Sequence, residues 1–530
     1  MEDWINYITF DSDPMQLFYL SEEVVGLEYQ LAEEAWRPIG TQPILFGGIR
    51  GGLSLRAKNK YGTNGATFMF ATDAQVVCIG DIRTLIDYAD YKNADTSKAN
   101  FSSLFKDCKQ LVFPPELYSS ELAEGCFQSM FEGCTSLKMA PKLSAKILAD
   151  SCYESMFKGC SSLKIAPKLS TVELADRCYS SMFEGCTLLQ DAPKLPAQKM
   201  AASCYSFMFK DCTSLIHAPE LPAKELTIHC YMQMFEGCTS LEKAPELPAQ
   251  ELTTHCYMQM FEGCTSLEKT PELPAQKLAA NCYTSMFNDC TSLETAPVLP
   301  AEKLTESCYS SMFKGCTSLK KAPELPAKEL SKNCYLLMFQ GCTSLKEAPK
   351  LLSKKLADGC YSSMFEGCTL LREAPELPAE ELSTFCYSSM FYGCVSLNKA
   401  PKLPAEIMQF GCYQCMFADC TTLQEAPILP AKKLALFCYY GMFYGCSSLK
   451  KAPVLSAKEL VDWCYLSMFE GCTSLQQVTM MATDIKAGMC LSRWLAGITS
   501  FGTLYKNKLA KWEDNDLIPD NWTIKLIDAE

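Results

Sequence analysis

Thirty-two cysteines and three histidines are the residues of this chain best suited to chemistry by type: thiolate nucleophiles, disulfides or a zinc site. Their spacing argues for something else. One cysteine stands four residues before each Met of a recurring Met-Phe pair, from Cys126 to Cys490, and another stands four after, from Cys108 to Cys472. Only Cys78 and Cys415 fall outside these two rows. Cysteines held at fixed phase serve as a residue that fits a small apolar space, so a buried ladder of reduced thiols is expected. Within a unit, two thiols eight residues apart on a helix are about 12 Å from each other, too far to bond. Bridges between neighbouring units remain open as the alternative. Zinc needs paired ligands at short spacing, and the histidines His217, His229 and His255 offer only the His229-Cys230 and His255-Cys256 neighbours, which read as solvated surface. There is no Gly-x-Ser-x-Gly and no His-Glu-x-x-His. The expectation is a protein without catalytic residues, cofactor or metal.

The elements that position these residues repeat. Met-Phe recurs every 26 residues from Met130-Phe131 to Met468-Phe469 without a slip, with Leu104-Phe105 and Trp494-Leu495 in step at either end. Such a period marks a solenoid, in which each unit buries its apolar face only against its neighbours. In the unit starting at Leu174, apolar Leu174, Cys178 and Met182 are four apart with Tyr179 and Phe183 beside them, which predicts a short helix of about three turns. Three residues after Met the position holds Gly, or Asp at 107, 211, 289 and 419, as a left-handed end to that helix would require. Segments such as Leu241-Glu-Lys-Ala-Pro-Glu-Leu247-Pro-Ala then predict a short strand, and because proline cannot donate to a ladder the parallel sheet should be narrow and interrupted. The fold class expected is an α/β repeat solenoid: a curved, horseshoe-like leucine-rich-type array with short strands inside and short helices outside, preceded by a small β-sandwich.

The boundaries expected are residues 1–98 for a β-rich attachment domain, 99–475 for the array, and 476–530 for a degenerate repeat and cap, whose tail Trp522-Thr-Ile-Lys-Leu-Ile adds a strand. In the first part, Ile5-Asn-Tyr-Ile-Thr-Phe, Gln16-Leu-Phe-Tyr-Leu, Leu53-Ser-Leu-Arg-Ala and Ala66-Thr-Phe-Met-Phe read as strands. Gly47-Gly-Ile-Arg-Gly-Gly52 lacks the Lys-Ser/Thr ending of a phosphate loop and reads as a hairpin or bulge.

The run Met-Phe-x-Gly-Cys-Thr-Ser-Leu at Met234–Leu241, followed by Ala-Pro-Glu-Leu-Pro, resembles the BspA-like leucine-rich repeats of gut Bacteroidales and their phages. The resemblance covers roughly residues 100 to 500. It implies a right-handed leucine-rich solenoid used for adhesion or recognition on bacterial surfaces or in phage particles, and it implies no catalytic residue. The proline pair of most strands and the missing export signal depart from that pattern.

The formal charge of −13 disfavours nucleic acid and anionic membrane as main partners, although a local basic patch stays open. Met1-Glu-Asp-Trp4 has no basic region leading to an apolar core, and no run of about 18 apolar residues occurs, so neither a secretion signal nor membrane insertion is expected. A virion component or a cytoplasmic protein is expected before a directly secreted one.

The outward positions vary instructively. Five before Met, early units carry Ser151, Arg177, Ser203, His229 and Asn281, whereas late units carry Phe385, Phe437 and Trp463. Near them late units add Tyr392, Phe410, Tyr440 and Tyr444. These seven are the candidate contact for a protein or a surface glycan, since large apolar patches and Tyr or Trp anchors mark interfaces; packing against the cap or between adjacent units is the plainer alternative. Pairs such as Glu242-Lys243, Glu268-Lys269, Lys320-Lys321 and Gln424-Glu425 read as a solvated inner face. The functional expectation is a recognition or adhesion protein, such as a phage tail or fibre-type component. A structural spacer assembling with copies of itself or into a larger particle, and an intracellular interaction scaffold, are the alternatives.

Overall fold

The computed structural model describes residues 5–169, 171–513 and 517–528. They form two compact units, residues 1–249 with 256–267, and residues 250–255 with 268–530.

The first unit opens with two sheets. Strands β1 (Ile8–Asp11), β2 (Gln16–Leu20), β3 (Leu27–Leu31), β4 (Arg37–Pro38), β5 (Ile44–Phe46), β6 (Leu53–Ala57), β7 (Phe68–Phe70), β8 (Val76–Ile79) and β9 (Leu111–Phe113) pair as β4-β3-β6-β1-β8-β9 and β5-β2-β7. Alternation in the four stretches read as strands puts Phe10, Phe18, Phe68 and Phe70 inward, and their rings meet between the sheets at 5.3 to 5.9 Å. Gly47–Gly52 is neither hairpin nor bulge. It makes one 3₁₀ turn, closed by the Gly47 N–H on the Gly51 carbonyl at 2.8 Å, and joins β5 of one sheet to β6 of the other.

The Met-Phe segment is not a helix. Among the described residues the one α-helix is the single turn α1, Thr84–Asp87, outside the repeats. In the unit around Met156, alternate amides do different work. Those of Cys152, Glu154, Met156, Lys158 and Cys160 donate to the carbonyl three residues back, while those of Tyr153, Ser155, Phe157 and Gly159 donate to Cys178, Ser180, Met182 and Glu184 of the next unit at 2.7 to 3.1 Å. Ser151, Ser155 and Gly159, four apart, have φ of 54°, 56° and 73°, each at the third position of a tight turn where a type II turn wants positive φ. A left-handed residue every fourth place ends any α-helix, and the amides freed by it bond the neighbouring unit.

This chain of turns presents a flat apolar strip. Cys152, Tyr153, Met156, Phe157 and Cys160 are all buried. Equivalent rings stack from unit to unit, Phe105 on Phe131 at 5.4 Å and Tyr153 on Tyr179 at 5.8 Å in the first unit, Phe339 on Phe365 at 5.7 Å and Tyr361 on Tyr387 at 5.8 Å in the second. The thiols are free. Those of the second row donate to the backbone, as Cys134 Sγ to the Phe105 carbonyl at 2.9 Å and Cys368 Sγ to Phe339 at 3.1 Å.

The strand segments meet their neighbours mostly through isolated parallel bridges such as His217 with Lys243 and Glu347 with Glu373, the interrupted sheet that the prolines dictate. Toward the C-terminal end, where Val478-Thr-Met-Met carries no proline at all, the ladder closes. From β10 (Lys451–Leu455) onward, β11 (Gln477–Met480), β12 (Gly502–Asn507) and β13 (Trp522–Ile527) form a four-stranded parallel sheet, with β12 and β13 in register over six residues. Trp494 replaces the Met of the last unit, fully buried, and its indole N–H donates to the Leu517 carbonyl at 2.8 Å.

The Gly/Asp position follows a packing rule. Asp107, Asp211, Asp289 and Asp419 adopt φ of 57° to 59°. One unit later each is followed by glycine, Gly133, Gly237, Gly315 and Gly445, because the carboxylate occupies the space a Cβ would need there. In place of a helix cap, the position is the left-handed corner of a turn.

Candidate binding surface

The positions five before Met are left-handed corners in every unit. Ser151, Arg177, Ser203, His229, His255 and Asn281 fill them in early repeats with φ of 53° to 58°. Asn, Asp and Gly tolerate this geometry, whereas a bulky residue there is an outlier costing about 1–2 kcal/mol. Phe385, Phe437 and Trp463 nevertheless hold it at 52°, 57° and 56°.

Their rings form one row. Phe385 meets Phe410 edge to face at 5.0 Å, Phe410 meets Phe437 at 5.6 Å, and Phe437 stacks on Trp463 at 4.9 Å with the planes 5° apart. Tyr440 packs its edge on Phe437 at 6.0 Å. Phe410 comes from the position before the corner, and the corner beside it is Gly411. A Cβ at Gly411 would collide with the Phe385 ring, so the glycine makes the row continuous. Phe385 and Phe410 are 37% and 36% exposed, and Phe437, Tyr440 and Trp463 are half-buried. The aromatic side chains therefore pack on one another and still face outward.

Tyr392 and Tyr444 lie apart from that row, two residues after their methionines, at 38% and 41% exposure. Asp419 lies between them: the Tyr392 hydroxyl bonds its carboxylate, which raises the phenol pKa, and the Asp419 N–H donates to the Tyr444 carbonyl at 2.6 Å. Burial, then the nearby Cys415, likewise raises Tyr440. Farther along, Arg493 donates to Glu470 and holds that carboxyl below its ordinary value. The surface is thus aromatic, with neutral phenols and carboxylates around it.

Sequence reasoning missed three members. Gly411 could have been found as the gap in the late aromatic column, and Leu436 and Met489 extend the apolar surface at 40% and 57% exposure, Met489 again in a left-handed corner. Their residue types are ordinary enough in the repeat that only their place beside the rings marks them.

The other candidate chemistries fare differently. Burial pushes thiols up, Cys126 and Cys152 to about 12 and Cys415 to about 11, so these are not thiolates at neutral pH. Among the described residues no three His, Cys, Asp or Glu side chains gather at metal-binding distance. His217 Nδ1 pairs instead with Asp191 at 2.9 Å. Among the same residues no helix is long and apolar enough to cross a membrane.

The family model described as BspA type leucine rich repeat region (6 copies) matches residues 102–242, 202–346 and 384–499, more than half of the chain. No curated protein and no solved structure matches it.

Proposed function

Since the chain belongs to the BspA-type leucine-rich repeat family, we propose that it is a non-enzymatic recognition protein whose repeats hold the aromatic row Phe385-Phe410-Phe437-Trp463 against a protein partner. One observation carries this: three aromatic residues occupy left-handed corners that non-aromatic residues, mostly polar or Gly, or a histidine fill in the other units, and they stay partly exposed there. Local strain kept at an exposed aromatic cluster is the mark of a contact surface.

A protein suits the row better than a glycan. A sugar ring stacks on an open aromatic face, but Phe437 and Trp463 cover each other's faces and offer edges and flanking hydroxyls, which side chains fill well. In this reading residues 1–98 attach the molecule, residues 99–475 present the surface, and residues 476–530 close the array. The test is parallel probing of protein and glycan arrays with wild type and with Phe437→Ser/Trp463→Ser. Protein signals lost in the double variant, at unchanged melting temperature, are expected; unchanged signals, or signals on glycans alone, defeat the proposal.

A second reading, a spacer in a larger particle such as a phage tail, draws on the identity of Cys230–Lys243 and Cys256–Lys269. It expects no ligand for either array.

A further inference from the structure

The strand-bearing side of the early repeats carries, from the unit after Glu116 on, a run of lysines in a chain of net charge −13. Lys138 and Lys142 of one unit and Lys164 and Lys168 of the next are exposed, Lys194 continues the line, and none of the five makes an ion pair among the described residues. Farther along, the same positions change sign or lose charge: Gln190 and Glu242 stand where Lys138 and Lys164 do, and Glu220 and Glu246 follow Lys194. The lysine pair returns at Lys346 and Lys350, so the apolar neighbours, and not the charge alone, set this stretch apart.

Apolar side chains lie between the lysines. The position after Lys138 and Lys164 holds Met139 and Ile165, 58% and 76% exposed, and the preceding unit places Phe113 there at 37%. In units farther along that position is polar, with Asp191, His217 and Lys243. An apolar column flanked by lysine columns is therefore fixed on a rigid backbone whose rungs are bonded to each other, as by the Lys138 N–H on the Val112 carbonyl at 3.1 Å.

We propose that this face docks an acidic polypeptide segment bearing aliphatic side chains, its carboxylates on the lysine columns and its aliphatic groups on Phe113, Met139 and Ile165. Charge complementarity chooses the sign of the partner, and the apolar column chooses its class. A polynucleotide would be met by several open stacking rings, whereas this face offers one, Phe113, beside Met139 and Ile165. An anionic bilayer engages charge over a wide area, where a net charge of −13 works against approach. The surface is separate from the aromatic row and does not depend on it.

The probe is a short labelled peptide of equal Glu and Leu content, compared with poly-glutamate, phosphatidylglycerol vesicles and a DNA duplex on the full chain. Binding of the Glu/Leu peptide that falls with salt is expected. Lys142→Glu/Lys168→Glu should weaken it by about tenfold, the effect of reversing two rim charges, and Met139→Ser/Ile165→Ser should weaken it while leaving Phe437→Ser/Trp463→Ser without effect. Should the charge-reversed protein melt early, Lys142→Gln/Lys168→Gln replaces it with the same expectation. No binding of the peptide, equal binding of poly-glutamate, or tighter binding of vesicles or duplex overturns the proposal.

Discussion

Early and late repeats are built on the same kind of interior and differ outside it. Two residues after Met, the early units alternate charge, and the alternation closes as ion pairs between neighbouring units: Lys106 with Glu132 at 3.1 Å, Lys158 with Glu184 and Lys210 with Glu236 at 3.0 Å. In late units the same position holds Tyr392, Ala418 and Tyr444, and the corner directly before Cys-Tyr changes from Ser, Arg, His or Asn to Phe and Trp. Yet Phe183 on Phe209 and Phe391 on Phe417 stack at 5.6 and 5.7 Å, so the ladder beneath is the same. The stack fixes inward residues and leaves outward ones free to become rungs in one place and a surface in another.

The largest effects should fall on what the regions share. Phe209→Ala and Phe417→Ala each remove a fully buried ring between two others and should each cost about 3–5 kcal/mol. Urea unfolding of the two variants should shift by equal amounts; a clear inequality would mean that the interior itself distinguishes the regions.

Next comes glycine. Gly263 and Gly411 both have positive φ, 71° and 57°, so alanine strains either by about 1 kcal/mol. At Gly263 the added Cβ meets only Gly237 at 3.7 Å, in ordinary contact, whereas at Gly411 it meets the Phe385 ring. Gly411→Ala should therefore lower the melting temperature more than Gly263→Ala and also perturb the aromatic row, visible in near-ultraviolet circular dichroism. Adding Phe385→Ser to Gly411→Ala should remove most of the difference.

These contrasts show what the sequence disclosed and why it misled. The period, the thiol rows and the broken strands were legible because each rests on residue type at fixed phase. The helix was not there because apolar residues four apart serve two backbones. Along Leu148, Cys152, Met156 and Cys160, a helix overshoots its turn by 0.4 residue at each step, roughly 40°, and drifts by about 120° over three. A chain of turns with a left-handed residue every fourth place does not drift, and Tyr153 and Phe157 can then be buried along with the first row. The sign in the sequence was the third series, Ser151, Ser155 and Gly159, whose residue types favour turns. It was blurred by Phe207, Gln233 and Leu337 at equivalent places. The continuity of the aromatic row was hidden for a different reason, since Phe410 reaches it from another position over a glycine.

A smaller effect would separate surface from scaffold. Trp463→Asn relieves a left-handed backbone by about 1 kcal/mol and loses a ring stack of about 1 kcal/mol. Stability should change by less than about 1 kcal/mol, by urea titration, while partner binding is lost. The early counterpart Asn281→Trp should lose stability, having the strained corner without Phe neighbours to stack on.

The smallest effects belong to the ionic rungs. Lys158→Met should cost under about 1 kcal/mol, because the lysine is 40% exposed, and less again in high salt. Arg493 and Glu470, the late pair, add a pH signature. Hydrogen bonds from Arg493 lower the Glu470 pKa, so its folded value lies beneath its unfolded one. The stability it contributes is complete above the unfolded carboxylate pKa, near 4.3, and disappears as pH falls through the folded value. Arg493→Gln should melt below wild type at neutral pH, and the two melting curves should converge as the solution is acidified beneath the carboxylate range. A difference that persists at low pH would assign Arg493 a packing role and leave the late surface without its one strong ionic rung.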